Sequence, residues 1–133
     1  MTSDPFVFAH PDRARKRVLI VDDNPQVLQD LRLFLETPGE LMVIGEASNG
    51  LEAIDLAQEL KPEVIVMDLE MPVMNGYDAI RKIKSQTPSL RIVILSIQAG
   101  LEELQNARQS GADAFVAKGA SYEVLLDAIL GKS

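Results

Sequence analysis

The chain has 133 residues, 47% of them hydrophobic but only 5% aromatic, which fits one domain with an aliphatic core. A net charge of -7 argues against non-specific binding of nucleic acid or anionic membrane, whose phosphates repel an acidic domain. The lack of cysteine excludes disulfides, thiol catalysis and cysteine zinc sites, and the single histidine, His10, excludes a histidine-rich metal site.

Residues 1–16 carry two prolines and no periodicity, and are expected to form a flexible arm ending in the basic cluster Arg13, Arg15, Lys16 and Arg17. Their apolar patch, FVFA, is too short for a signal sequence, and no later run approaches a membrane span. A soluble, cytoplasmic protein without membrane contact is the expectation. From Arg17 to residue 131 apolar runs alternate with helical patterns, and residues 132–133 are left as a tail. VLIV predicts the first strand. Asn24 as cap and Pro25 at the first position then open a helix whose inward stripe is Val27, Leu31, Phe34 and Leu35. LMVIGEA is the second strand, and GLEAIDLAQEL a helix that Pro62 ends. EVIVMD is the third strand, followed by a Met-Pro turn and a helix carrying Ile80 and Ile83. RIVILS is the fourth strand. GLEELQNARQSG is a helix with a thin apolar face of Leu101, Leu104 and Ala107. AFVAK is the fifth strand, and the last helix turns Tyr122, Leu125, Leu126 and Ile129 inward. Five short, nearly all-apolar strands alternating with five helices predict an α/β fold, a parallel sheet covered on both faces.

In such a sheet ligands bind beyond the carboxyl ends of the strands. Here Asp22 and Asp23 follow the first strand, Asp68 the third, Ser96 the fourth and Lys118 the fifth. Three carboxylates at one edge repel each other and call for a hard divalent cation with oxygen ligands, Mg2+ (or Mn2+). Lys118 supplies a further positive charge and Ser96 a hydrogen bond to an oxyanion. No glycine-rich phosphate loop follows the first strand. A phosphate at this edge therefore needs the metal, and covalent attachment to an aspartate is its most economical anchor.

LIVDDNP, VMDLEMPVMNG, VILSIQ and AFVAKGAS, in this order and spacing, resemble the receiver domain of two-component response regulators, over about residues 17–131. The resemblance implies a flavodoxin-like three-layer sandwich with strand order 2-1-3-4-5. It implies Asp68 as phosphoacceptor, Asp23 as direct metal ligand, Asp22 as its water-mediated helper and the Glu70 backbone carbonyl as a third ligand. Ser96 and Lys118 take the phosphoryl oxygens, and Phe115 is the aromatic that turns inward on activation. The implied reaction is phosphoryl transfer from a sensor histidine kinase or phosphotransfer protein, with positioning and electrostatics supplying the catalysis. The domain then assists hydrolysis of its own acyl phosphate and shifts the fourth helix and fifth strand as a two-state element.

Two departures stand out. Gly119 follows Lys118 where many relatives have a proline, a variant similar to nitrate-regulator-type (LuxR-like) receivers attached to DNA-binding domains. Ile97 follows Ser96 where a small residue is common, and is expected to crowd Asp68; Gln98 and Glu70 are the positions that tune phosphoryl lifetime. Each feature has a plain account by itself: Asn24 as a cap, Lys118 as a solvated lysine, Phe115 as core. Five coincidences at one edge are a poor explanation of all of them. A flavin enzyme on the same fold wants a hydroxyl- and glycine-rich loop where this chain has VDDNP, and an aspartyl phosphatase wants D-x-D near the first strand. The output is expected to be transcriptional, through a DNA-binding domain rather than direct nucleic acid contact by this one; a stand-alone receiver acting by docking is the alternative. Leu33, Val124 and Leu130 lie off the inward stripes and suggest a homodimer face.

Overall fold

The structure is a computed structural model that describes residues 15–69 and 75–132. Five strands, β1 (Lys16–Val21), β2 (Leu41–Ala47), β3 (Val64–Met67), β4 (Arg91–Ser96) and β5 (Ala114–Ala117), form one sheet in the order β2-β1-β3-β4-β5. Every pairing is parallel, with Val21 beside Met67 and Ser96 beside Ala117 at the carboxyl edge. The strand order reverses at β1, so a crevice opens between the ends of β1 and β3.

Among the described residues one helix follows each strand: α1 (Pro25–Glu36), α2 (Gly50–Leu60), α3 (Gly76–Gln86), α4 (Leu101–Ser110) and α5 (Tyr122–Leu130). Four have the side-chain cap their sequences promise. Asn24, Asn49, Asn75 and Ser121 each accept from a backbone N–H in the first turn, whereas α4 starts at Gly100 with no such bond. The sheet separates two cores. Leu19, Val21, Ile65, Met67, Ile92 and Ile94 face α2, α3 and α4. Val18, Ile20, Val64, Val66, Val93 and Val116 face α1 and α5. The two-residue period of a strand produces this division.

Several expected faces turn out differently. On α1, Leu28 and Leu35 are the buried pair, and Phe34 is exposed. Six apolar residues between 27 and 35 cover more than one face of the helix, and packing on β1 and β2 selects among them. Phe34 instead meets the Tyr122 ring edge-on, centroids 5.5 Å apart. Tyr122 is half-buried rather than inward, and its hydroxyl donates to Glu40 at 3.4 Å. On α4, Leu101 is 73% exposed and Leu104 also faces out, leaving Ala107 and Ser110 as the buried residues. Leu33 and Val124 are exposed as expected, while Leu130 is half-buried.

The expected arm lies outside the described residues except for Arg15 and Lys16, and β1 begins at Lys16, inside it. Arg17, taken as the end of a basic cluster, has a structural role. Its guanidinium donates to the Lys61 and Leu60 carbonyls at 2.6 and 2.7 Å, closing the carboxyl end of α2.

Candidate functional site

The sheet ladder runs one residue past β1, β3 and β5 and fixes the backbone of Asp22, Asp68 and Lys118. Asp68 N–H donates to the Val21 carbonyl at 2.9 Å, and Asp22 N–H to that of Ala47 at 3.0 Å. Lys118 N–H donates to the Ser96 carbonyl at 2.8 Å. Carboxylate oxygens of Asp22, Asp23 and Asp68 consequently lie within 4.8 Å of one another. Asp22 and Asp68 are buried, 4% and 8% exposed, while Asp23 faces solvent.

Buried carboxylates this close need compensation. The Lys118 ammonium supplies part of it, 3.4 Å from Asp22 Oδ2 and 3.7 Å from Asp68 Oδ1. The Asn24 N–H donates to Asp22 Oδ1 at 3.0 Å, while the Asn24 side chain caps α1. One ammonium against three carboxylates leaves an excess of negative charge. The donor set is all hard oxygen and partly open to solvent through Asp23, which fits a divalent cation of the Mg2+ or Mn2+ kind.

Ser96 is buried at the same edge, and its Oγ accepts from the Gln98 N–H at 3.2 Å. The hydroxyl proton is therefore the part that can serve an oxyanion. The Lys118–Gly119 peptide is trans, as there is no cis bond among the described residues, and Gly119 sits at φ +95°, which glycine adopts without the Cβ penalty. Ile97 and Gln98 both project into solvent, Ile97 74% exposed. Glu70 lies outside the described residues. Phe115 is half-buried, packed with Tyr77 against the core beneath α3 and α4.

Tyr77 was not singled out by its sequence context. Its hydroxyl donates to the Glu103 carbonyl of α4 at 3.4 Å, so it bridges α3 to the weakly anchored α4. Burial pushes its phenol above the usual tyrosine value, and the charges of Glu103 and Glu102 add to this. The available signal was its place three residues before Ile80, on the same inward stripe of α3.

Comparison with known proteins places these features in a family. A sequence profile of the response regulator receiver domain matches residues 18–130. The nitrate/nitrite response regulator protein NarL of Escherichia coli K12 is 36% identical over 112 residues, 84% of this chain and 52% of that protein. An uncharacterized transcriptional regulatory protein of Bacillus subtilis, YhcZ, is 38% identical over 110 residues, 83% of this chain and 51% of that protein. The chain thus spans about half the length of the curated relatives it matches. Among solved structures, a LuxR-family two-component response regulator from Aurantimonas superimposes with a TM-score of 0.83 at 32% identity, covering 88% of this chain and 84% of that one.

Proposed function

The chain belongs to the response regulator receiver domain family, a phosphorylation-controlled signalling switch, and on that premise we propose that Asp68 is its phosphoacceptor. What supports this reading is one juxtaposition: a buried carboxylate at the crevice of the sheet, a lysine ammonium 3.7 Å away and two further acids within 4.8 Å. An Asp68 oxygen attacks the phosphorus of a phosphohistidine on a sensor kinase or phosphotransfer protein. The new O–P bond forms as the P–N bond breaks, and the imidazole leaves. Asp23, Asp68 and the Glu70 carbonyl would hold Mg2+ (or Mn2+), with Asp22 helping through water, since both Asp22 oxygens already face a donor. Bound there, the ion would supply charge neutralisation for the transferring group. Lys118 and the Ser96 proton take the remaining phosphoryl oxygens, and Ser96 draws its loop with it. Phe115 and α4 respond. With no side-chain cap and only Ala107 and Ser110 buried, α4 is weakly held. Gln98, Ile97 and Glu70 set how fast water reaches the acyl phosphate that the domain itself helps to hydrolyse.

The test is incubation with Mg2+ and a small acyl phosphate, read by mass. A gain of one phosphoryl group is expected in the wild type, lost in Asp68→Ala and on chelation. No gain in the wild type, or an equal gain in Asp68→Ala, defeats the assignment. Unchanged phosphoryl decay in Gln98→Ala and Glu70→Ala together would remove the tuning role.

Output is proposed to be transcriptional, in keeping with the full-length relatives, and the setting cytoplasmic; no helix among the described residues is long and apolar enough to cross a membrane. A stand-alone receiver acting by docking predicts instead that no DNA-binding domain follows in the gene. The homodimer is proposed to use α1 and α5, where Leu33, 69% exposed, lies with Phe34 and Val124. Sedimentation with and without a phosphoryl mimic tests it, and a monomer in both conditions rejects it.

A further inference from the structure

A hollow of about 340 Å³ lies between α1, α5 and the carboxyl ends of β4 and β5, on the side of Lys118 away from the acids. Val27, Leu31 and Phe34 of α1, spaced by four and three residues, form one wall; Leu95, Val116 and Leu125 form the other. Among the described residues, none fills it. Helix α5 begins only at Tyr122, and the segment above the hollow contributes Ala117, Gly119 and Ala120. A Cβ added at Gly119 would meet nothing within 4 Å. The effect shows on the sheet: Leu95 is only half-buried, although Val93, Ile94 and Ser96 on the same strand are buried. Interiors normally close such spaces.

The charges around the mouth are one-sided. The carboxylate of Asp30 stands at the rim, held by the Gln26 amide at 2.9 Å. The Lys118 ammonium is turned away toward Asp22 and Asp68, so its aliphatic stem lines the hollow and its charge does not. The size lies at the lower end of ligand pockets. Among the described residues lining the hollow, the only cation is Lys118, whose ammonium is engaged by Asp22 and Asp68, so an anion would meet Asp30 uncompensated.

From this we propose that the hollow is a binding site for a small aromatic amine, one or two fused rings inserted between α1 and α5 with a protonated nitrogen at Asp30. The site lies beside the acidic edge and shares the Lys118 side chain with it.

The test is titration of the full chain with tryptamine, followed by methyl NMR, with indole-3-acetate as the anionic counterpart. Saturable shifts are expected at Val27, Leu31, Leu95, Val116 and Leu125, with tryptamine binding at least tenfold tighter than indole-3-acetate. Leu31→Trp and Val116→Phe, which fill the hollow from opposite walls, should each weaken tryptamine at least tenfold. Asp30→Asn should remove the preference for the amine while keeping its ring in place. No saturable shifts at millimolar tryptamine, equal affinity for the anion, or undiminished binding in both filled variants overturns the proposal.

Discussion

Gly76→Ala is the most informative single change, because the collision it creates is with backbone. A Cβ at this position would lie 2.8 Å from the Leu69 Cα and 3.1 Å from the Asp68 carbonyl oxygen. Ordinary contact begins at 3.4 Å, so the first turn of α3 has to give by up to about 0.6 Å. A full retreat along the bond from the Gly76 N–H to the Leu69 carbonyl, now 3.1 Å, would carry it beyond hydrogen-bonding range. The lost bond costs about 1 kcal/mol and overpacking about 1–3 kcal/mol. The better helix propensity of alanine returns up to about 1 kcal/mol. A net loss of about 1–3 kcal/mol is expected, which lowers the urea midpoint by about 1 M at a typical slope. Leu69 adjoins Asp68, so phosphoryl uptake from an acyl phosphate should slow as well. Gly39→Ala is the control: it carries φ +90° but has no atom within 4 Å of the added Cβ, so it reports backbone strain alone. If Gly76→Ala melts with the wild type, the close approach of α3 to the end of β3 is relieved at no cost and the reasoning fails.

Arg17→Ala removes two short bonds to the carbonyl end of α2 and should cost about 1–2 kcal/mol, discounted for its partial exposure. Hydrogen exchange should rise first in the last turn of α2; uniform exchange across the domain would contradict the capping role. Lys118→Ala leaves three acids without their ammonium and should slow phosphoryl uptake by roughly ten- to a hundredfold at saturating Mg2+. An unchanged rate would show that Lys118 does not reach the transferring group. Both tyrosines should titrate above the usual phenol value: Tyr77 through burial and then Glu103 and Glu102, Tyr122 through burial and then Glu40 and Glu123. A raised phenol holds its proton longer in the folded state than in the unfolded one, so its stabilisation is complete below about pH 10 and is lost as pH rises through the folded value. The chain has two tyrosines and no tryptophan, so absorbance at alkaline pH reads these groups alone, and titration at the ordinary value would refute the shift.

The strands were legible because each carries a short apolar run, buried on both sides in Val64–Met67 and partly exposed in the edge strands β2 and β5. The site was legible for a related reason: an acid, a serine or a lysine interrupts such a run only where the strand leaves the core. Orientation was not legible. Six apolar residues on α1 permit several rotations, and only packing against β1 and β2 buries Leu28 in place of Phe34. Leu101 and Leu104 read as a thin core face, but α4 is held through Ala107 and Ser110. Arg17 binds carbonyls more than forty positions away, which no local pattern encodes. The hollow beside Gly119 arises from how α1 and α5 are set against β4 and β5, which no local pattern encodes.

The central sheet also sets which residues communicate. Ile65 and Val66 share a peptide bond, yet one side chain belongs to the core under α2–α4 and the other to the core under α1 and α5. Ile65 and Ile80 are fifteen positions apart and lie in the same core. Thermodynamic coupling follows shared partners. Covalent neighbours on a strand therefore behave as strangers, and remote positions on one side as kin. The domain is in this sense two half-proteins sharing a wall, and either half can be rewritten, by drift or by design, while the other keeps its packing.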